Sequence, residues 1–165
     1  MALALMPFGI NQICTSNPGM NDRIRIKALQ AHNFRRSNLA RGLVSKNTGK
    51  RLPSAANMIR LRYNCSLETS AKAAVDSCST TYSNVPLGVQ QNIYGISRSR
   101  ARFRVDAIVE AAKNWWSQVK LVDGIGMRVT YREKHQHSSI RWFTRAYFAK
   151  ASLAFDRVLK FSLNE

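Results

Sequence analysis

The sequence predicts an α+β fold, a small single domain in which an antiparallel hairpin or sheet packs against two or three helices after a disordered N-terminal segment; a mostly α arrangement is the alternative. Three observations carry this. Val105, Ile108, Val109, Ala112, Trp115, Trp116 and Val119 fall on the i, i+3, i+4, i+7 stripe of a core-facing helix. Residues 126–133 alternate, with Met127, Val129 and Tyr131 on one face and Arg128, Thr130 and Arg132 on the other, as a half-buried strand does. The first 64 residues are rich in Arg, Lys, Ser and Asn and hold one acid, Asp22, a composition poor in core-forming side chains.

The chain has 165 residues and a net charge of +17, a size that fits one domain, or one domain plus a tail. Residues 1–66 hold eleven basic residues against Asp22, and residues 67–165 hold fifteen against eight acids. The first part, uncharged until Asp22, has the composition of an organellar transit peptide cut near residues 60–66, or of a retained, disordered basic arm. The domains are then 1–64, transit peptide or arm, and 65–165, the small α+β domain. Cys14, Cys65 and Cys78 are odd in number and form no CxxC pair, which argues for a reducing compartment. No apolar run approaches the 18 or so residues that span a membrane. Asn64-Cys65-Ser66 matches the N-glycosylation sequon, which carries weight only on a secretory route.

Residues 67–79 predict a short helix on Ala71, Ala74, Val75 and Cys78, and residues 80–95 a loop with a short extended piece. Next comes a comb in which Arg98, Arg100, Arg102 and Arg104 alternate with small or apolar residues. In an extended strand these guanidinium groups share one side at about 6.6 Å intervals, a ladder for phosphate oxygens. The comb feeds the helix of residues 105–120, which Gly124 and Gly126 end. The indoles of Trp115 and Trp116 close its apolar stripe as a core plug. After the strand at 126–133, residues 140–148 answer as a second strand or begin a helix, since Trp142, Ala146 and Ala149 also have helical spacing. A helix follows on Phe148, Ala151, Phe155 and either Val158 and Phe161 or Leu159. On the hairpin reading, Arg128, Arg132, Arg141 and Arg145 join the comb on one face.

No local motif carries catalysis. His135 and His137 have no further ligand at metal spacing. Cys65 and Cys78 lack a partnered base, and Asp106 and Glu110 read as a solvated acidic face beside Lys113. No cofactor or metal is expected. The residues therefore point to a non-enzymatic basic accessory factor of an organellar ribonucleoprotein or nucleic-acid complex, in the plastid stroma or, alternatively, the mitochondrial matrix. The eight arginines named above bind a polyanion, and Tyr94, Phe103, Phe143 and Tyr147 add stacking. A second reading is an assembly or regulatory factor docking on an acidic protein surface of an organellar membrane complex, with peripheral membrane contact. A third is a small enzyme whose site is assembled from distant residues.

Overall fold

Asn21 starts the first helix: its Oδ1 accepts the N–H of Ile24 at 3.0 Å, and Asp22 puts a carboxylate in the first turn, where the helix dipole favours it. Helix α1 runs Asp22–Ala40. It closes on Gly42, at φ +68°, where the amides of Gly42 and Leu43 return to the carbonyls of Leu39 and Asn38. A Cβ at Gly42 would lie 3.3 Å from both the Leu52 carbonyl and the Ser54 amide, so the turn needs glycine for space as well as for conformation. The chain then doubles back through an isolated antiparallel bridge between Ser45 and Arg51, and the Ala55 amide bonds the Ala40 carbonyl.

The computed structural model describes residues 11–76, 91–97, 99–121, 132–135, 137–147 and 160–162. After α1 come α2 (Cys65–Asp76), β1 (Gly95–Ser97), α3 (Arg104–Leu121), a 3-10 turn (Glu133–His135), α4 (Arg141–Tyr147) and β2 (Lys160–Ser162). Strands β1 and β2 pair in parallel, Ile96 opposite Phe161. This is a small domain of helices with little strand, and among the described residues the named strands form a parallel pair, not the expected antiparallel hairpin.

The main core is built across the chain. Leu39, Val44 and Leu52 pack with Val119 of α3 and with Ile140 and Phe143 beside and within α4. Ile24 and Ala28 of α1 pack on Ile108 of α3. Residues 22–64 were expected to be removable or disordered, yet they supply one wall of the core that residues 65–165 complete. A boundary at residue 64 would cut through this packing.

The expected helix at 105–120 is present, with Ala107, Ile108, Ala111, Ala112, Trp115 and Val119 buried. Trp115 is the core plug. Trp116 is half-buried and packs on Phe143, ring centroids 5.5 Å apart. For residues 141–147 the helix prevails over the strand, because Ile140, Phe143 and Thr144 face inward at i, i+3, i+4. Gln118 of α3 fixes that helix's start: its Oε1 accepts the amides of Trp142 and Phe143, both at 3.1 Å. The expected strand at 126–133 lies largely outside the described residues, and Glu133 belongs to a 3-10 turn. The expected C-terminal helix also lies largely outside them, but Phe161 sits in β2.

A buried ion cluster holds the N-terminal segment to the helices. Arg25 is fully buried. Its Nε and Nη2 donate to the two oxygens of Glu68 at 2.7 and 2.6 Å, and its Nη1 donates to Asp22 at 2.8 Å and to Asn11. Nη2 also reaches the carbonyls of Asn17 and Cys14. Asp22 accepts the amides of Gln12 and Ile13, and Tyr63 donates its hydroxyl to Glu68 at 2.7 Å. Glu68 foremost raises the Arg25 pKa above its ordinary value, against the effect of burial. Burial alone would raise the pKa of Asp22, but the Gln12 and Ile13 amides and Arg25 together hold it below 3.8.

Cys14 and Cys65 form a disulfide in the same corner, closing 51 residues of sequence. On chain entropy a loop of that length contributes about 4 kcal/mol. The bond corrects the expectation of a reducing compartment, and it removes Cys65 as a candidate nucleophile; Cys78 lies outside the described residues.

Because a buried charge stripped of its partner is costly, Glu68→Ala is expected to destabilise the fold by about 3–5 kcal/mol, read as a lower urea midpoint. A second expectation concerns His32, buried 6.0 Å from Trp115 with Nδ1 on the Ala28 carbonyl. Burial first, then Arg35 and Arg36, pull its pKa from 6.5 down to about 3. Its unfolded form takes a proton below 6.5 that the folded form refuses until about 3, so stability declines as pH falls through that window, by up to ~1.4 kcal/mol per unit. Urea unfolding at about pH 7 and about pH 5 should show this decline, and His32→Gln should lessen it.

Candidate functional site

The comb does not form a ladder. Arg98 lies outside the described residues. The chain turns where the comb was expected to extend: the amides of Arg100 and Ala101 both bond the Ser97 carbonyl, and Arg104 already opens α3. Arg100 faces Glu110 at 3.7 Å, Arg102 is exposed, and Arg104 donates to the Gly19 carbonyl. Of the second group, Arg128 lies outside the described residues and Arg132 is exposed. Arg141 stacks over Trp142 at 5.0 Å, and Arg145 donates to the Gln91 carbonyl at 3.1 Å. Among the described residues the expected arginines do not share one face, because residues 99–103 turn and residues 141–147 form a helix.

The expected stacking residues also separate. Phe143 is fully buried, and Tyr94 is half-buried against Ile96, Ala101 and Ala107. Tyr147 ends α4. Phe103 stands out, 70% exposed. It lines a shallow groove of about 400 Å³ with Arg104, Asp106, Asn21 and Arg23, where the first turns of α1 and α3 meet.

A larger groove, about 530 Å³, was not foreseen. Its floor is one face of α1, contributed by Gln30, Asn33, Arg36, Ser37 and Ala40, and its wall is the extended stretch 58–60. Two polar side chains hold wall to floor. Asn33 donates to the Leu61 carbonyl at 3.1 Å and accepts the Leu61 amide at 2.9 Å, and Arg36 donates to the Ile59 carbonyl at 2.8 Å. Phe34 on α1 and Ile59 on the wall line it, 66% and 60% exposed. Arg60 supplies a cation to the lining, and Arg62 is exposed two residues on. Such a cleft can take an apolar side chain of a partner between Phe34 and Ile59 while Arg60 meets a carboxylate. The available signal was Phe34 set between Asn33 and the basic pair Arg35 and Arg36; Ile59, flanked by Met58 and Arg60, carried none.

No group of three or more His, Cys, Asp or Glu side chains that could share a metal ion occurs among the described residues. His135 is buried, its Nδ1 accepting the Arg132 amide at 2.9 Å, and His137 is exposed. No described helix is long and apolar enough to cross a membrane.

Comparison with known proteins gives this geometry its context. The model of the CAP family, the cysteine-rich secretory protein family, matches residues 29–144. An Ancylostoma secreted protein from Ancylostoma caninum is 36% identical over 112 residues, 67% of this chain and 26% of that protein. The crystal structure of Na-ASP-1 superimposes with a TM-score of 0.77 at 29% identity, over 87% of this chain and 37% of that one. That of NaASP2 with Zn2+ gives 0.75 at 25% identity, over 86% and 74%. The chain thus spans about a quarter of the curated relative's length.

These likenesses are to secretory and secreted proteins. They overturn the transit peptide, the plastid stroma and the mitochondrial matrix, and with them the organellar ribonucleoprotein factor and its RNA-binding role. Composition misled because a basic, acid-poor segment has the same residue statistics whether it is imported and removed or, as here, folded around a buried Arg25.

If Asn33 ties the groove's wall to its floor, Asn33→Ala should weaken that tie by about 1–3 kcal/mol. The expected readout is faster hydrogen exchange at the Leu61 amide with little change in the core of α3.

Proposed function

The chain belongs to the CAP, or cysteine-rich secretory protein, family, and we propose that it works outside the cell as a venom-allergen-like binding domain rather than as an enzyme. The observation that carries the binding role is the groove between α1 and residues 58–60, where Phe34 and Ile59 remain largely exposed beside a well-packed core. Large apolar side chains displayed on both sides of a cleft are characteristic of contact surfaces. The net charge of +17 selects the partner's chemistry: an acidic protein surface presenting an apolar segment. Charge of this kind speeds encounter and rejects basic partners, while the apolar contact supplies residence time.

A zinc-dependent role finds less support. The NaASP2 crystal structure is one with Zn2+, but the described residues of this chain do not gather the three His, Cys, Asp or Glu side chains such a site needs. His32 is enclosed beside Trp115 with Nδ1 on a backbone carbonyl, a setting that suits a neutral core histidine.

The test is a screen of fluorescent peptides pairing acidic residues with one aromatic or aliphatic residue. Phe34→Ala/Ile59→Ala should lose at least tenfold in affinity, about 1.4 kcal/mol or more, with an unchanged unfolding midpoint. Added salt should weaken the remaining interaction. Equal affinity for the double variant would remove the groove from the function.

A further inference from the structure

The sequon Asn64-Cys65-Ser66 is the only N-x-S/T sequence in the 165 residues. It gains meaning once the chain is read as extracellular, and the inference rests on that reading. Asn64 is exposed at the start of α2. Its Oδ1 accepts the amides of Ser66 at 3.0 Å and Leu67 at 3.2 Å, capping the helix. The side-chain Nδ2, the atom that takes a sugar, has no hydrogen-bond partner among the described residues. A glycan on Nδ2 leaves Oδ1 in place, so the cap and the modification are compatible.

The middle residue sets a condition. Cys65 is bonded to Cys14, and the next turn carries Glu68, buried on Arg25. Once these contacts form, the sequon is held in a capped helix start, tied on one side by the disulfide and on the other by the ion cluster. A transferase that must grip the tripeptide can reach it only before that closure. Cys14, 51 residues upstream, enters the same compartment first and waits for Cys65.

We propose that Asn64 is an N-glycan acceptor whose occupancy is set by competition with closure of the Cys14–Cys65 disulfide. The donor is an oligosaccharide on a polyprenyl pyrophosphate. A bond forms between Nδ2 and the sugar C1 as the C1–O bond to pyrophosphate breaks. The amide loses one proton to the transferase and the polyprenyl pyrophosphate leaves, whereas the competing closure passes two electrons and two protons from the Cys14 and Cys65 thiols to a protein disulfide of the secretory route, by thiol–disulfide exchange.

The experiment expresses the full chain behind a cleavable secretion leader in insect cells. It reads the glycan on both the exported and the cell-retained chain, as a mobility shift reversed by peptide-N-glycosidase, with Asp left at position 64 on mass spectrometry. The wild type should appear as two forms, glycosylated and not. Cys14→Ala should raise the glycosylated fraction, and Ser66→Ala, which keeps the Asn64 cap, should abolish it. A wild type and a Cys14→Ala variant both without the glycan would overturn the assignment of Asn64. Equal occupancy in the two would overturn the competition. Failure of export tells against the extracellular reading, and it is distinguishable because the glycan is read on the retained chain as well.

Discussion

The guanidinium of Arg25 is fully buried, and four parts of the chain converge on it or on its partner Glu68: the segment at 11–17, the first turn of α1, Tyr63 through Glu68, and α2, which the Cys14–Cys65 disulfide ties to the first of them. A charge taken out of water is tolerated only where its donors are matched, and here two carboxylates, a side-chain amide and two backbone carbonyls match them. Any rearrangement of the N-terminal segment would strand that charge. The cluster therefore does what an apolar core would do elsewhere, with the added property that its geometry is directional.

Helix α1 depends on this arrangement. Its inward stripe, Asp22, Ile24, Arg25, Ala28, His32, Arg36 and Leu39, is more polar than apolar, and each polar member is answered by a named partner. Arg36 reaches the Ile59 carbonyl, and His32 the Ala28 carbonyl. With its polar side chains directed inward, α1 is free to carry Phe34 outward, and the extended stretch held by Asn33 places Ile59 across from it. The groove is thus a product of the same inversion that makes the helix hard to recognise.

The disulfide and the ion cluster reinforce each other at one corner, and Asn64 sits at its edge. An exposed acceptor beside a covalent closure turns a folding step into a determinant of surface chemistry, since order of events, rather than final geometry, decides whether the sugar is attached.

Two elements were legible because their burial is apolar and local. The stripe from Val105 to Val119 named α3, and the buried indole of Trp115 with it, since a 3.6-residue apolar period has one economical solution. Residues 140–144 were ambiguous from their spacing, and Gln118 on a neighbouring helix resolved them by capping α4. What the sequence by itself determined was the central helix, the excess of positive charge, and a sequon without a context. Only the tertiary structure decided that residues 22–64 contribute to the core, that Cys14 meets Cys65, and that residues 99–103 turn rather than extend. For the first two the physical reason is shared: the partners of Arg25, Cys14 and Val44 lie tens of residues away, and a buried polar side chain is indistinguishable from a solvated one until its partner is in place; the turn after Ser97 is local, but alternation alone does not separate it from a strand.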